Sequence, residues 1–455
     1  MRLRFDRRDF LKTTAAAGAG YWLTATATSA ARAADKPNEK IQFASIGVGG
    51  KGSSDCDHAG ALGVMVALCD CDEKPLNAKK AKFSSAETFF DYRKMFEKLG
   101  KQIDAVTVST PDHTHAPASI MAMKLKKHVY TQKPLTHSVW EAREMRRVAK
   151  EMGVCTQMGN QGTAENGLRR AVELVQAGVL GKVTEVHVWT NRPIWPQAPS
   201  VMARPKDTPE VPPNVHWDEF LGPAPFRPYH KAYHPFAWRG WWDFGTGALG
   251  DMACHTANMA YMACQLGLPT SVEAEAGDVN PETCPSYAHG IMQFPERNGL
   301  PPVTFHWYEG KKNGKKMLPP EELLSKLLRT GEKLADSGSI IVGDKAILFS
   351  PNDYGAQYRI TPEVDTKGVS ETLPRNGKGD MGMKQEWVQA IRENKPSIAM
   401  SNFEYAASLT EAILLPNVAI RVGKKFEYDG NTGQAKNCPE AAQYIKREYR
   451  KGWEV

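Results

Sequence analysis

The run Gly250-Asp251-Met252-Ala253-Cys254-His255 sets a carboxylate and an imidazole four residues apart, which places both on one face if the run is helical. An acid beside a histidine orients the ring and raises its basicity, which suits a general base. A second reactive group stands in Gln132-Lys133-Pro134, where the proline holds Lys133 extended and aims its ammonium off a strand end. Taken alone, an Asp/His pair at this spacing is more often a packed structural pair, and the lysine fragment is equally compatible with a surface lysine before a turn. Their company decides between the readings.

That company begins with Gly47-Val48-Gly49-Gly50-Lys51-Gly52, which carries the G-x-G-x-x-G spacing directly after the apolar run 41–46. The three spaced glycines provide a tight turn, close backbone approach to a diphosphate and close helix packing, with the phosphates at a helix N-terminus. Asp70 follows 23 positions after Gly47, at the end of a second apolar run, 64–69. A carboxylate there accepts both ribose hydroxyls and repels a 2′-phosphate, and the next residue is Cys71 rather than arginine, so NAD is favoured over NADP. Lys51 keeps the phosphorylated cofactor open as an alternative. Ser109-Thr110-Pro111, followed by His115, closes a third strand where such a sheet faces the nicotinamide half of the cofactor. Its plain reading is a proline turn with a helix cap.

These groups need a scaffold. Apolar runs at 41–46, 64–69, 105–109 and 128–131 alternate with helical spacing, which predicts an α/β fold opening with a doubly wound parallel Rossmann sheet. Past about residue 158 the pattern changes to longer β-rich runs at 183–190, 272–276, 289–294, 303–307 and 339–349, expected to form a large open, mainly antiparallel sheet within a C-terminal α+β domain. Two long stretches rich in Pro, Trp and Gly, 192–248 and 309–337, read as lids or subunit contacts. Residues 383–394 and 404–422 have amphipathic helical spacing. The expected division is a leader at 1–33, an NAD-binding domain at 34–158, a substrate and oligomerisation domain at 159–430, and a C-terminal tail at 431–455.

The leader carries the paired arginines Arg7 and Arg8 before Asp9-Phe10-Leu11-Lys12, then a weakly apolar stretch ending in Ala31-Arg32-Ala33. This is the pattern of a twin-arginine signal peptide, so the protein is expected to be exported or periplasmic, with the apolar stretch too short for a lasting membrane anchor. Residues 1–33 account for +4 of the net charge of +7, and the remaining +3 leaves no footprint for nucleic acid. The eight cysteines have neither C-x-x-C nor metal-ligand spacing and read as buried free thiols, and no metal site is expected.

Taken together, the glycine motif, Asp70, Ser109-Thr110-Pro111 with His115, Lys133-Pro134 and Asp251-x-x-x-His255 resemble the glucose-fructose oxidoreductase, inositol dehydrogenase and rhizopine-catabolism (Gfo/Idh/MocA) family over nearly the whole mature chain. The stretch from Gln157-Met158-Gly159-Asn160-Gln161 through Trp195 and Arg239-Gly240-Trp241-Trp242 to His255 is similar to an exported branch found in glycan-degrading bacteria. The resemblance implies that Lys133, Asp251 and His255 border the substrate beside the nicotinamide and adds Asn160 to the cofactor residues. The implied chemistry is oxidation of a secondary hydroxyl of a sugar, glycoside or cyclic polyol, with C3 of a hexopyranoside favoured. His255 would be the base, Asp251 its orienting partner and Lys133 the donor to the developing alkoxide. Gln132 departs from the glutamate of many relatives, which removes a charge beside Lys133.

Trp189, Trp195, Trp238, Trp241 and Trp242, with Arg192 and Arg239 among them, are expected either as a sugar-stacking wall or as core and subunit packing. Arg192, Trp195, Arg239 and Trp242 are the candidate substrate contacts. Two other functions stay open: a redox-neutral glycosidase, needing a further base such as His234, Tyr233 or Tyr229, and a non-catalytic NAD- or carbohydrate-binding protein. A homodimer or homotetramer is expected from the open sheet.

Overall fold

The computed structural model describes residues 40–455. Residues 1–33, with the paired arginines of the expected leader, lie outside the described residues. Short apolar runs too brief for helices become the strands of a first sheet: β1 (Gln42–Ile46), β2 (Val64–Cys69), β3 (Glu87–Phe89), β4 (Ala105–Val108), β5 (His128–Thr131) and β6 (Thr156–Met158). They are parallel, in the order β3-β2-β1-β4-β5-β6, so the order reverses between β1 and β4. A crevice at that switch, beyond the strands' carboxyl ends, is where such sheets bind ligands. Helices α1 (Gly50–Leu62), α2 (Asp112–Lys124) and α3 (Val139–Met152) follow β1, β4 and β5. In α3, Ser138 and Glu141 form a reciprocal capping box and Gly153 closes the helix in the left-handed region.

The second sheet has ten strands: β7 (Val183–Trp189), β8 (Ser271–Gly277), β9 (Tyr287–Phe294), β10 (Val303–Lys312), β11 (Lys315–Lys316), β12 (Gly338–Gly343), β13 (Ile347–Ser350), β14 (Arg359–Thr361), β15 (Phe426–Asp429) and β16 (Gln434–Ala435). Every pairing is antiparallel except β7 with β10. In β9 buried and half-buried residues alternate strictly, as in a sheet with one face on a core and one open. The expected single run at 339–349 is instead the hairpin of β12 and β13. The stretch 309–337 holds the end of β10, β11 and a helix, Glu321–Leu327, rather than a bare loop.

Helix α4 (Gly247–Thr256) carries Asp251 and His255, as their spacing predicts. Helices α5 (Gly379–Arg392) and α6 (Phe403–Val422) complete the chain's long elements. α5 leaves the second domain in space: Trp387 packs against Phe43 and Tyr130, and Met383, Val388 and Ile391 join the core beneath β1. The tail does not stand apart either, because Trp453 packs on Tyr92 and under the Arg93 guanidinium of the first domain. The division at residue 158 is therefore a sequence boundary that the packing crosses, through the tail and α5 and again where Arg143 of α3 pairs with Glu411 of α6. All eight cysteines are free, seven of them buried and Cys71 half-buried. Among the described residues no helix is long and apolar enough to cross a membrane, and no cluster of three or more His, Cys, Asp or Glu could hold a metal.

Candidate active site

At the switch point, Gly47 has φ +77° and lies so close to the next strand's end that a Cβ would sit 2.7 Å from the Ser109 carbonyl carbon. A Cβ on Gly52 would run into the Gly47 carbonyl oxygen. Both glycines are thus required by close approach, and Gly47 by its backbone conformation as well. Helix α1 starts at Gly50 with no side-chain cap and no acid in its first turn, which leaves its first amides available to an anion. Asp70, at the end of β2, accepts from the amides of Val48 (2.8 Å) and Gly49 (3.2 Å) through one oxygen and from Asp72 (2.9 Å) through the other. Burial pushes its carboxyl pKa up, against those three amides.

A cavity of about 570 Å³ runs from this loop past Ser109, Thr110 and Pro111 to Lys133, Arg239 and Asp251. Gly47, Gly49, Gly50, Lys51 and Asp70 line one end, so an uncapped helix terminus, a glycine cradle and a ribose-side carboxylate occur together. That set fits NAD, with the diphosphate at α1 and the nicotinamide toward Lys133. His115 lies buried outside the cavity, its ring nitrogens 2.7 and 2.8 Å from the Pro134 and Thr110 carbonyl oxygens, and so ties two lining loops together. Asn160 is also buried, accepting from Ser401 Oγ (2.6 Å), and does not line the cavity.

At the far end Lys133 Nζ donates to Asp251 Oδ1 (2.7 Å) and to the Asp251 carbonyl (2.8 Å), across 118 residues of sequence. Arg239 Nε stands 3.6 Å and Arg192 Nε 3.8 Å from the same carboxylate. Burial opposes both charges of the pair, yet Asp251 holds Lys133 above the usual lysine range, and Lys133 with Arg239 holds Asp251 below the usual carboxylate range. The expected bond from Asp251 to His255 is not formed, because the carboxylate is turned to Lys133. His255 Nδ1 is buried without a hydrogen-bond partner, and the ring packs edge-on against Tyr354 at 4.9 Å. Burial, with Lys133 adding to it, keeps this imidazole far below the usual histidine range and therefore neutral.

The stacking wall does not assemble. Trp189, Trp195, Trp241 and Trp242 are buried, each indole N–H donating to an acceptor away from the cavity: Ala335 O, Gln197 Oε1, Ala232 O and Asn280 O. Trp195 and Trp242 are thus packing residues, whereas Trp238 lines the cavity with Arg239, joined by Phe236 and His234, and Tyr233 packs in the core beside them. Tyr229 meets Trp217 edge-on.

One feature of the site had no counterpart in the motifs. Asp55, wholly buried on α1, accepts from Lys51 Nζ (2.8 Å) and Lys384 Nζ (2.6 Å) on one oxygen, and from Ser109 Oγ and Gln132 Nε2 (both 2.8 Å) on the other. Asp380 closes the network by pairing Lys51 and Lys384, both at 2.7 Å. Lys51 is thereby held down in a charge network that joins α5 to the glycine loop. The i, i+4 spacings Lys51/Asp55 and Asp380/Lys384 were visible in the sequence, but their meeting was not. Gln132 is the complement of Asp55: a carboxamide there donates where a carboxylate would repel.

Comparison with known proteins agrees with this geometry. The model of an oxidoreductase family, GFO_IDH_MocA, NAD-binding Rossmann fold, matches residues 41–160, and the model of its C-terminal alpha/beta domain matches 166–297. The chain is similar to the 2,7-anhydro-N-acetylneuraminate hydratase of Escherichia coli strain K12, 34% identical over 20% of this chain and 26% of that protein. It is also similar to a glycosyl hydrolase family 109 protein of Solibacter usitatus, 31% identical over 39% of this chain and 44% of that protein. In both cases the match spans less than half of the relative's length. The WlbA dehydrogenase from Bordetella pertussis, solved with NADH and UDP-GlcNAcA, superposes with a TM-score of 0.59 over 86% of this chain and 99% of its own, at 15% identity, a likeness of fold.

Proposed function

Because the chain belongs to the Gfo/Idh/MocA family of NAD-binding oxidoreductases, we propose that it oxidises a secondary hydroxyl of a sugar, glycoside or cyclic polyol, C3 of a hexopyranoside being favoured. The observation that carries this reading is the Lys133–Asp251 pair at the end of a cavity continuous with the glycine loop. NAD, when bound, supplies the two-electron acceptor for the carbinol carbon. Lys133 stays an ammonium and so is a donor rather than a base, placed to stabilise negative charge developing on the substrate oxygen. Asp251 fixes that ammonium in position. His255 is the base that the resemblance implies; its ring is neutral, as a proton acceptor must be, but it lies behind Asp251 outside the cavity lining, and burial lowers its proton affinity.

The similarity to a glycosyl hydrolase family 109 protein favours a second reading, in which oxidation only activates the ring for loss of an aglycone and the electrons return. His234, the one of the three earlier candidate bases that lines the cavity, would serve there. We further read the protein as exported by its twin-arginine leader, periplasmic, retaining its cofactor, without a membrane anchor, and assembled as a homodimer or homotetramer through the open face of the second sheet.

The test is to analyse the purified protein for nicotinamide by absorbance and mass, then add simple glycosides while following reduction and aglycone release together. Net reduction supports the dehydrogenase and release without net reduction the glycosidase. Lys133→Met should lower kcat/KM about 100- to 1,000-fold with NAD still bound. Failure to bind any nicotinamide, or an undiminished Lys133 variant, overturns the reading.

A further inference from the structure

Around Asp251, at the polar end of the cavity, more positive charge is gathered than the adjacent carboxylates balance, one of the cations, Arg192, standing outside the cavity lining. Lys133, Arg192 and Arg239 all address the single carboxylate of Asp251. Another acid lining the cavity, Asp112, is buried and committed to the Thr246 amide and hydroxyl at 3.1 and 2.6 Å, and burial raises its pKa. Even with Asp112 ionised, cations outnumber anions. Of the remaining acids that line the cavity, Asp70 is on the glycine-loop amides, Asp72 is on Lys74 N, Asn214 and, at 3.6 Å, His234, and Glu219 is the third.

The two guanidiniums are also only partly used. Each meets Asp251 only at long range, its nearest nitrogen, Nε, at 3.6 and 3.8 Å, whereas Lys133 takes the short contact. Arg192 spends Nη1 on Asn191 Oδ1, and the terminal nitrogens of Arg239 have no protein acceptor among the described residues. The Arg239 guanidinium is nevertheless held in place, 4.2 Å from the Trp238 ring and 5.4 Å from the Phe236 ring. Aromatic faces orient a guanidinium without consuming its donors. A planar fork of free donors, fixed in orientation beside Lys133 and Asp251 and in a field of surplus positive charge, matches a carboxylate in two parallel hydrogen bonds. Neutral hydroxyls would leave that charge unbalanced in a desolvated cavity, which is costly.

We propose that the substrate is an acidic sugar of the uronate class, its carboxylate held by Arg239 while Lys133 addresses the hydroxyl to be oxidised, with Arg192, behind Asp251 and outside the cavity lining, adding positive charge. This rests on the reading of the cavity as a sugar-oxidising site, and it makes the two arginines specificity-determining residues. Neither arginine takes part in the proton or electron transfer. The carboxylate enters and leaves unchanged.

The experiment uses the full NAD-loaded protein and a matched set of ligands: methyl glucoside, methyl glucuronide, methyl glucuronamide and glucose 6-phosphate, with galacturonate and N-acetylneuraminate as further acids. Binding is read by calorimetry and turnover by nicotinamide reduction and aglycone release. An acid should bind at least about 10-fold more tightly than its amide or neutral counterpart, the scale of one charge-assisted hydrogen-bond pair. Arg239→Met and Arg192→Met should each shrink that acid-to-amide preference, with the loss in KM rather than kcat. The wild-type comparison stands by itself if a variant does not fold. Equal binding of acid, amide and glucoside, a preference for the phosphate, or no acid bound at about 10 mM overturns the proposal. Turnover of neutral sugars as efficient as of acids overturns it and leaves the oxidoreductase reading intact. Arginine-dependent binding of an acid that is neither oxidised nor cleaved upholds acid recognition and removes the oxidoreductase reading instead.

Discussion

Gln132→Glu is the sharpest probe of the charge network under the dinucleotide loop. Gln132 is 4% exposed and Asp55 0%, and the amide nitrogen lies 2.8 Å from the Asp55 oxygen, so the substitution puts two buried carboxyl groups in contact. They cannot both ionise at that separation, and the introduced group will keep its proton to a higher pH. Protonated, it donates to Asp55 as the carboxamide does, so at about pH 4 the variant should be close to wild type in stability. Lys51 and Lys384 on the other Asp55 oxygen soften the repulsion. A rise of the introduced pKa from about 4.3 to about 6 is therefore the expected scale. An acid whose folded pKa is raised loses stability as pH climbs from its unfolded to its folded value, by about 1.4 kcal/mol per pH unit. The variant should thus lose roughly 2 to 3 kcal/mol between about pH 4 and pH 6 and then level off. Urea unfolding of wild type and variant across that range reads the difference directly. Gln132→Met, which removes the hydrogen bond without adding a charge, should show a loss of about 1 to 3 kcal/mol that is flat with pH. A Gln132→Glu difference that is equally flat would refute the account of Gln132 as a donor to Asp55.

Two further outcomes follow from single sites. Gly47→Ala places a Cβ 2.7 Å from the Ser109 backbone at φ +77°, a strain of about 1 to 3 kcal/mol, and should weaken NAD binding at least about 10-fold in a fluorescence titration; affinity within about 2-fold of wild type would show that the loop is not the cradle described. Glu309 is buried with Trp307 Nε1 as its partner at 2.7 Å, and burial pushes its carboxyl up to about 7. Its folded pKa being raised, it costs stability progressively as pH rises from the unfolded value toward 7, so Glu309→Gln should be more stable than wild type at pH 8, by roughly 3 kcal/mol, and equal to it at pH 4. Parallel unfolding curves at the two pH values test this, and a gain that is the same at both would contradict it.

Much of this molecule was legible in the chain because it is written in local pattern. Runs of four to six apolar residues ending at glycine, aspartate or Ser-Thr-Pro specify parallel strands and the loops at their carboxyl ends, and β1, β2, β4 and β5 lie where those runs do. The glycine spacing and Asp70 specify a cofactor loop for the same reason: the constraints act within one βαβ unit. Lys133 and Asp251 were singled out by residue type and resemblance, and the fold brings them to 2.7 Å.

Side-chain partnership was decided only in three dimensions. Asp251 and His255 share a helix face, yet the carboxylate turns to a lysine 118 residues away, because a buried carboxylate is stabilised more by an adjacent cation than by a neutral imidazole. Trp195 and Trp242 sit among the residues of the site in sequence, yet their indole N–H groups find acceptors in the core, leaving Trp238 and Phe236 at the cavity. Asp55 and Lys384 meet from opposite ends of the chain, and the nominal tail closes on the first domain through Trp453. Periodicity reports which face of an element is apolar. It carries no information on which buried charge meets which, since that depends on how desolvation is offset by whatever partners the completed packing brings within reach.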